Sequence, residues 1–553
     1  MAVFAELIQS PYAVQGLVVS LVAVLLSIFW QDLADEIPHR RIPLIGKDGW
    51  DLLNKKTRQR FKSSARELIM EGFSKGANIF QLISERPLVI LHPKYIDEIK
   101  NHPHLDFQGA IERNFFDDRI SGFEPFHPGV GGQVTVDLVR TKLTQALGSL
   151  TIPLSKESAV VAKEIFPPTA EWTPYNFSAK IPYVVARLST RAFLGETLAN
   201  NKEWIDISVN YTIDAFNAAR ELRQWLTILR PVAQYFLTTT RKLRMHLSQG
   251  KLIIDAEIKR RHQAAKNKTD SESENAPRLQ DTLDWYESLS KSSGRSVNIS
   301  NGQIALSLAA IHTTSNLLTN VMYDLAAYPE YIQPLRDEIQ AVVAEDGCLK
   351  KSSLLKLRLM DSVMKETQRT HPVSMSEFNP LKTPTRGQSS RPGTPLPYEL
   401  PRFSLNRLAR KEIPLSDGTV IPKGAMIGVS THTNEDETIY PSPQIYDGYR
   451  FYKKRQEPGN EQRFQFVTTS RESFGFGHGV HACPGRFFAA NESKIFLVHL
   501  LLKYDWKLKD GDGDGVAGRP ANFDHGTEII TDPRVELLFR SRRPEIDLAA
   551  LGE

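Results

Sequence analysis

The chain has 553 residues, of which 41% are hydrophobic and 24% charged. These proportions are typical of a globular protein and exclude a disordered or collagen-like chain. The net charge of +5 is small for this length and is spread along the chain, which argues against nucleic acid as a partner. The modest basic balance instead favours contact with membrane lipid or an acidic partner. Two cysteines, Cys348 and Cys483, cannot form a disulfide framework, so a reducing compartment is indicated.

A charge-free run lies close to the start of the chain. Residues 13–30, AVQGLVVSLVAVLLSIFW, number 18, just enough to cross a bilayer as a helix. A cleaved signal peptide would need a positive region before the run, but Glu6 precedes it and Arg40 and Arg41 follow it. The run therefore predicts a signal anchor, with residues 1–12 in the lumen and the bulk of the chain in the cytosol.

The rest of the chain is predicted to form one large domain over 51–553, because no internal repeat or long linker divides it. Prolines in 31–50 predict a stiff connection from the anchor. Helical patterns dominate, with short strand-like runs such as PLVILHP at 87–93, and 266–277 is typical of a surface loop. An atypical insertion is predicted at 380–406, where six prolines and two glycines occur in 27 residues without helical or strand period.

A long apolar helix precedes that insertion. Ser300 and Gln303 have the spacing of a capping box, and the apolar run continues to Pro329. A helix apolar on nearly all sides is predicted to be central and buried. In its middle lie His312 and Thr313, in the sequence IHTTS. Hydroxyl groups there can bond back to their own helix carbonyls, or they can serve chemistry at an internal cavity.

The most specialised segment is FGFGHGVHACPGRFF, residues 474–488. Around Cys483 the spacing places Phe476, Gly479, His481 and Gly485. Glycines allow close approach of the backbone to a bulky group, and the run after Pro484 has helical period, so the cysteine is predicted at a helix N-terminus. The positive end of the helix favours a thiolate there. A thiolate beside a flat ligand is what an iron porphyrin needs on its proximal side.

Three other roles for this cysteine compete with that interpretation. His478, His481 and Cys483 could bind zinc, but a fourth ligand is needed and the other cysteine lies 135 residues away. A cysteine nucleophile with His481 as its base requires a geometry that residues two apart rarely reach. An inert buried cysteine would leave the glycines unexplained.

These residues resemble the haem-binding signature of cytochrome P450. The Glu-x-x-Arg pair of that family is matched by Glu366 and Arg369 in KETQR, and Arg450 in YDGYRF matches the arginine that completes the buried triad. The sequence as a whole is similar to those of membrane-bound fungal enzymes of secondary metabolism such as the ent-kaurene oxidase group. The resemblance implies a cytochrome P450 fold, mainly α with small β-sheets, joined to an N-terminal transmembrane helix.

The resemblance also implies a haem b cofactor with Cys483 as axial ligand of the iron. His481 stands where the family commonly has a propionate-binding arginine, while Arg140 and Arg407 match further propionate-binding positions. Thr313 matches the threonine that assists oxygen activation, and His312 replaces the usual acid. Because histidine ordinarily titrates near neutrality, we expect His312 to take part in proton delivery.

By the same resemblance, substrate contacts are expected from the loop 107–132, the helices of 205–236, the segment after Arg369 with Val373 and Met375, and the segment 526–530. Deleting 380–406 would join family-like segments and place Arg407 at a propionate position, which indicates a translated intron or an unusual loop. Lys453, Lys454 and Arg455 are either a docking site for an acidic reductase face or a solvated charge run.

The implied function is a monooxygenase of the endoplasmic reticulum membrane that uses O2, with its catalytic domain in the cytosol. It would oxidise a lipophilic secondary metabolite such as a terpenoid or meroterpenoid. No nucleotide-binding loop occurs in the chain, so electrons from NADPH are expected through a separate cytochrome P450 reductase. Two alternatives are a catalytically impaired haem-binding protein and a haem-thiolate isomerase or dehydratase; Thr313 favours oxygen activation over both.

Overall fold

The computed structural model describes residues 11–34, 36–47, 49–51, 54–116, 119–127, 132–267, 280–372, 403–509, 518–525, 528–546 and 548. The helices are α1 Pro11–Ala34, α2 Lys55–Ser74, α3 Ile96–Ile99, α4 Phe107–Asn114, α5 Gly132–Leu138, α6 Thr144–Ile165, α7 Phe177–Leu194, α8 Glu196–Ala199, α9 Lys202–Arg223, α10 Arg230–Ala233, α11 Thr238–Lys266, α12 Thr282–Ser293, α13 Ile299–Ala327, α14 Ile332–Asp346, α15 Lys351–Lys356, α16 Arg358–Thr370, α17 Arg450–Gln456 and α18 Arg486–Lys503. The strands are β1 Ile79–Ile83, β2 Pro87–Leu91, β3 Leu105–Asp106, β4 Thr173–Tyr175, β5 Phe403–Ala409, β6 Ile413–Pro414, β7 Val420–Ile421, β8 Met426–Ser430, β9 Tyr504–Leu508, β10 Phe523–His525, β11 Glu528–Ile530 and β12 Leu537–Ser541. The predicted fold class, mainly α with small β-sheets, is confirmed.

The strands of the described chain form small, separate sheets. The largest has the order β1-β2-β8-β5-β3, and the others are β4-β12-β9, β10-β11 and β6-β7. In the largest sheet, β2 and β8 are parallel and the other neighbours are antiparallel. Both β1 and β2 are buried throughout, and β2 is accordingly a continuous apolar run, PLVIL. In β1 the buried polar residue Gln81 donates to the carbonyls of His39 and Ile42 at 2.7 and 2.8 Å.

Strand β5 corrects the far end of the predicted insertion. Residues 403–406 were expected to lack strand structure, but they begin β5, where Phe403 pairs with Ser430 and Ser404 with Val429. The register then shifts before Arg407, and Leu405 has a φ of 56°. Such an irregularity breaks the alternation of side chains, which is why the sequence shows no strand period there. Most of the insertion, 380–402, lies outside the described residues, as do Val373, Met375 and most of the predicted loop 266–277.

Helix α13 is the central element of the fold. It packs against α7, α9, α16 and α18, and most of its side chains are buried. Its N-cap is Asn298, whose side-chain oxygen accepts a hydrogen bond from the backbone N–H of Asn301 at 3.0 Å. The predicted capping residue Ser300 instead lies inside the helix and bonds Asp255 of α11. Asn and Ser are both good caps, so the local sequence could not distinguish them.

The charge-free run 13–30 lies within α1. Over the parts of the chain that the structure describes, no helix combines the length and apolar character needed to cross a membrane.

Candidate active site

Cys483 lies just before helix α18, as the sequence predicted. Its backbone N–H donates to the carbonyl of Phe476 at 2.8 Å, which closes the loop on itself. Burial raises the pKa of the Cys483 thiol above its ordinary value, while the backbone N–H groups of Gly485 and Arg486 and the Arg486 charge oppose that shift. The helix terminus alone therefore does not make the thiolate the favoured form. A bound cation would, because a metal-coordinating thiol is deprotonated.

The glycines of this loop make room chiefly for the protein's own chain. A Cβ atom on Gly479 would lie 2.5 Å from the carbonyl oxygen of Lys100, and one on Gly475 would lie 2.4 Å from the Gln368 side chain. Gly477 and Gly479 also have φ angles of 69° and 76°, a region that favours glycine. Gly485, by contrast, has ordinary contact distance to Val139. Packing against the protein's own chain therefore accounts for the lack of a side chain at Gly475 and Gly479.

The predicted propionate-binding side chains are brought together. Arg407 lies over the ring of Phe107 at 5.3 Å, and the same ring is 6.3 Å from that of His481. Nη2 of Arg140 donates to the carbonyl of Val480 at 2.6 Å, next to His481. Burial lowers the pKa of His481, and the charges of Arg407 and Arg140 lower it further. Arg407 and Arg140 form a positive group around His481 and beside the cysteine loop, which we call the cationic group.

Arg407 has a particular need for an anion. It is buried, and this desolvation lowers the pKa of its guanidinium to about 10 although Asp106 opposes the shift. Its Nη1 donates to the carbonyl of Asn406 at 2.7 Å. A desolvated guanidinium beside other positive groups is stabilised by a carboxylate. The cationic group therefore fits a ligand that carries carboxylates, as a haem carries propionates.

Because α13 is packed on several sides, the accessible surface in its middle indicates that internal space borders it. In a helix that is otherwise largely buried, Ala309 is exposed and Ala310, His312 and Thr313 are half-buried. Oγ1 of Thr313 donates to the carbonyl of Ala309 at 2.7 Å, so the back-bonded arrangement anticipated for hydroxyl groups in a helix is present. This bond does not remove the residue from the internal space that it lines.

His312 differs from expectation in its protonation. Its Nε2 donates to the carbonyl of Val209 in α9 at 3.0 Å, which leaves Nδ1 as the acceptor in the neutral ring. Burial lowers the pKa of His312 to about 4, and the hydrogen bond to Val209 only partly opposes this. The expectation that this side chain titrates near neutrality is wrong, because the surrounding protein disfavours the charged form.

Glu366, Arg369 and Arg450 form one buried network. Nε and Nη2 of Arg369 donate to the two Glu366 oxygens at 2.9 and 2.8 Å, and Nε of Arg450 donates to the same carboxylate at 3.1 Å. Nη1 of Arg369 donates to the backbone carbonyl of Asn434 at 2.7 Å, and Nη1 of Arg450 donates to that of Pro441 at 2.7 Å. The network thus fastens α16 to the segment that enters α17.

The basic run YKKRQ is divided by the fold. Lys453 is exposed, whereas Arg455 is buried and its Nη1 lies 3.3 Å from Oδ2 of Asp361. Lys454 is half-buried and donates to the carbonyl of Ile439 at 3.1 Å. The expectation that Arg455 belongs to a docking surface is therefore wrong, because this side chain is part of the interior.

Two neighbours of the cysteine loop were not predicted in these positions, since Asn101 was not singled out and Phe107 was expected at the substrate. The side-chain oxygen of Asn101 accepts a hydrogen bond from the backbone N–H of Val480 at 2.9 Å, and Phe107 lies between Arg407 and His481. Neither belongs to a recognisable motif. Asn101 is 379 residues away from Val480 in sequence, so no local signal could have indicated it.

The geometry also bears on the zinc alternative. Within the described ranges, no group of three or more His, Cys, Asp or Glu side chains could hold a metal ion. Nδ1 of His478 lies 3.1 Å from Oγ1 of Thr469. One cysteine before a helix, a cationic group and an opening in a central helix instead define a haem-thiolate protein.

Comparisons with known proteins extend this conclusion. The family model described as Cytochrome P450 matches residues 59–379 and 398–517. Cytochrome P450 monooxygenase calE of Penicillium decumbens is 37% identical over 540 residues, which covers 96% of each chain. Cytochrome P450 monooxygenase hepE of Aspergillus oryzae is 37% identical over 507 residues, covering 91% of this chain and 86% of the relative. Among solved structures, retinoic acid bound cyanobacterial CYP120A1 has a TM-score of 0.60 at 15% identity, covering 91% of this chain and 99% of that one, and this likeness shows the fold.

The chain belongs to the cytochrome P450 family. It is a haem-dependent monooxygenase that binds haem b and uses O2, a small-molecule substrate and a redox partner.

Proposed function

We propose that this monooxygenase hydroxylates or further oxidises a lipophilic secondary metabolite, a terpenoid or meroterpenoid, with electrons from NADPH delivered by cytochrome P450 reductase. The observation that carries the proposal is the opening in α13, where Ala309 and Thr313 border internal space in a helix that is otherwise largely buried. Binding sites for bulky lipophilic molecules are concave and mostly apolar, and Ala309 is an apolar residue with accessible surface. The fungal relatives calE and hepE, which are named as monooxygenases, support the same class of reaction.

The residues of the chain have separable roles in this proposal. Cys483 would hold the haem through its sulfur, and the cationic group would bind the propionates. When bound, the haem supplies the oxygen-activating chemistry. The Thr313 hydroxyl would hold a proton at Oγ1, and the Glu366 network would keep α16 fixed against the segment that leads to the cysteine loop.

Turnover by the holoenzyme in yeast microsomes tests this function. With added reductase, candidate terpenoids should accelerate NADPH consumption and yield products that contain one added oxygen atom from O2. Microsomes that lack the reductase provide the control, because the proposal takes the electrons to come from a separate protein. A normal thiolate-haem spectrum without oxygenated product from any lipophilic substrate would contradict the proposal and favour the impaired haem protein. Product formation without reductase would favour an isomerase or dehydratase.

The endoplasmic reticulum membrane belongs to the proposal as its location. The charge-free sequence of the run 13–30 favours contact with lipid, although no described helix meets the requirements for crossing a membrane. A second support is an exposed apolar patch between α9 and α11, formed by Trp225, Leu226, Leu229, Val232, Tyr235 and Phe236. Glu36, in the connection after α1, accepts a hydrogen bond from Thr227 at 2.9 Å and so ties that connection to the patch. The same microsomes test the location, and recovery of the protein in the soluble fraction would contradict it.

We expect His312→Ala to uncouple NADPH consumption from product formation, since the variant loses both the bond to Val209 and the acceptor Nδ1. The fraction of electrons recovered in product should fall several-fold while haem content stays unchanged. Because the His312 ring is already neutral across this range, the coupling of the wild-type enzyme should show no histidine titration between about pH 6 and 8. Thr319→Ala is a control on the same helix, since its buried hydroxyl bonds only the carbonyl of Ser315 at 2.8 Å. Normal coupling in His312→Ala would refute its part in proton delivery.

A further inference from the structure

The hairpin formed by β10 and β11 is anchored at both ends on one stretch of α13. Before the hairpin, Nε of Arg519 donates to Oδ1 of Asp324 at 2.5 Å and Nη2 donates to Oδ1 of Asn320 at 2.6 Å. After the hairpin, the hydroxyl of Tyr323 donates to the carbonyl of Asp532 at 3.4 Å. Asn320, Tyr323 and Asp324 lie within two turns of one helix. The segments that enter and leave the hairpin are therefore held by the same rigid element.

The same carboxylate also holds the end of α16. Oγ1 of Thr367 donates to Oδ2 of Asp324 at 2.6 Å, and Nε2 of His371 lies 3.3 Å from Oδ1. Asn522, at the start of the hairpin, lies 3.4 Å from Nδ1 of His371. Asp324 thus joins α13, the end of α16 and the approach to the hairpin. The segment after α16 and the hairpin belong to two of the four segments from which substrate contact was expected.

This junction is enclosed by protein. Asp324 is 0% exposed, His371 4% and Arg519 5%. Burial by itself would raise the pKa of Asp324, but the charges of Arg519 and His371 outweigh it and the pKa is lowered. A buried ion pair seldom adds much net stability, yet removing one partner leaves the other charge uncompensated. Loss of the Asp324 charge should therefore displace Arg519, and with it the foot of the hairpin.

The position along α13 gives the junction a functional meaning. Asp324 is eleven residues beyond Thr313, which corresponds to about 16 Å along a helix. A continuous helix transmits position between these points because its hydrogen bonds fix the rise. The hairpin is therefore set at a defined distance from the part of α13 that borders internal space.

We propose that Asp324 is a positioning residue that fixes the β10–β11 hairpin relative to the Thr313 turn of α13, and so determines which bulky lipophilic molecules the substrate cavity accepts. This inference rests on the proposed function, since it takes the hairpin to be a wall of the substrate cavity. Asp324 acts through Arg519 and does not itself touch the substrate.

The test compares Asp324→Asn with wild type as haem-loaded proteins. Hydrogen exchange measured by mass spectrometry should be at least about tenfold faster in peptides that cover 519–532, because the hairpin opens locally. Two iron-ligating probes report on the cavity by spectral titration. The Kd for clotrimazole, a bulky lipophilic azole, should rise at least about tenfold, whereas that for imidazole should stay within about twofold, because only the large probe needs the cavity wall.

Asp361→Asn is the matched control. Asp361 is also buried on α16 and held by two cations, with Nζ of Lys494 at 2.6 Å and Nη1 of Arg455 at 3.3 Å. Its loss should lower the midpoint of unfolding without changing exchange in 519–532 or the ratio of the two azole Kd values. The double variant Asp324→Asn/Arg519→Gln removes both charges, and we expect it to recover part of the clotrimazole affinity.

Unchanged exchange in 519–532, or an equal loss of clotrimazole binding in Asp361→Asn, would overturn the positioning role. Faster exchange in 519–532 together with unchanged clotrimazole affinity would show that the hairpin is anchored there but does not select ligands, which also overturns the proposal. If wild type bound neither azole, the proposed function itself would fail, and the exchange experiment would still report on the anchor.

Discussion

Replacing Cys483 with serine should abolish monooxygenase turnover and the spectrum of thiolate-ligated haem. Serine is nearly the same size, so the loop closure between the Cys483 N–H and the Phe476 carbonyl should persist. A serine hydroxyl cannot supply the electron density that a thiolate gives to haem iron. The reduced, carbon-monoxide-bound form should lose the absorption band characteristic of thiolate ligation, and substrate-dependent oxygenation should fall to background.

Cys348→Ser is the control for this experiment. Cys348 is the other free cysteine, and it lies beyond the end of α14, far along the chain from the haem loop. Its replacement should leave both the spectrum and the turnover at wild-type levels. A thiolate-type band that survives in Cys483→Ser, or one that is lost in Cys348→Ser, would contradict the ligand assignment.

Glu366→Gln should destabilise the folded protein by about 3–5 kcal/mol, because it leaves two guanidinium groups buried without their carboxylate. Glu366 is 0% exposed and accepts hydrogen bonds from both Arg369 and Arg450. The amide can accept from only one side and places its own donors against an arginine. Chemical denaturation of the holoprotein measures the free energy of unfolding, and the yield of haem-loaded protein should fall in parallel.

Glu71→Gln provides a matched comparison on the protein surface. Glu71 also contacts two cations, with Nζ of Lys75 at 2.7 Å and Nη2 of Arg60 at 3.2 Å, but these pairs are open to solvent. Exposed ion pairs are worth about 0–1 kcal/mol, so the expected change is small. An equal decrease in the free energy of unfolding in Glu366→Gln and Glu71→Gln would show that burial does not determine how much stability each substitution removes.

The features predictable from sequence are those that a short segment specifies. Cys483 and the start of α18 follow from glycine, proline and helical period within a few residues, and α13 follows from its long apolar run. The pairing of Glu366 with Arg369 is similarly local. The contact of Arg450 with the same carboxylate could be expected only from the resemblance to a known family. Nothing in the sequence between 369 and 450 indicates that the chain comes back to Glu366.

What could not be predicted depends on contacts far apart in sequence or on the environment. The low pKa of His312 comes from the protein packed around it. The contact between Lys100 and Gly479 explains a glycine that the motif alone assigned to the ligand. The junction at Asp324 could not be predicted, because Asp324, His371 and Arg519 are far apart in sequence and form no local pattern.

The hydrogen bond from Val480 to Asn101 has a consequence for the timing of folding. It joins residues 379 apart, and on the same side Gly479 packs against Lys100. Contacts of such separation form late, and a chain leaving the ribosome displays residue 101 long before residue 480 exists. The haem loop therefore reaches its final shape only after residue 480 has been synthesised and has met Asn101, so cofactor capture becomes a check on the folding of the chain between these two residues.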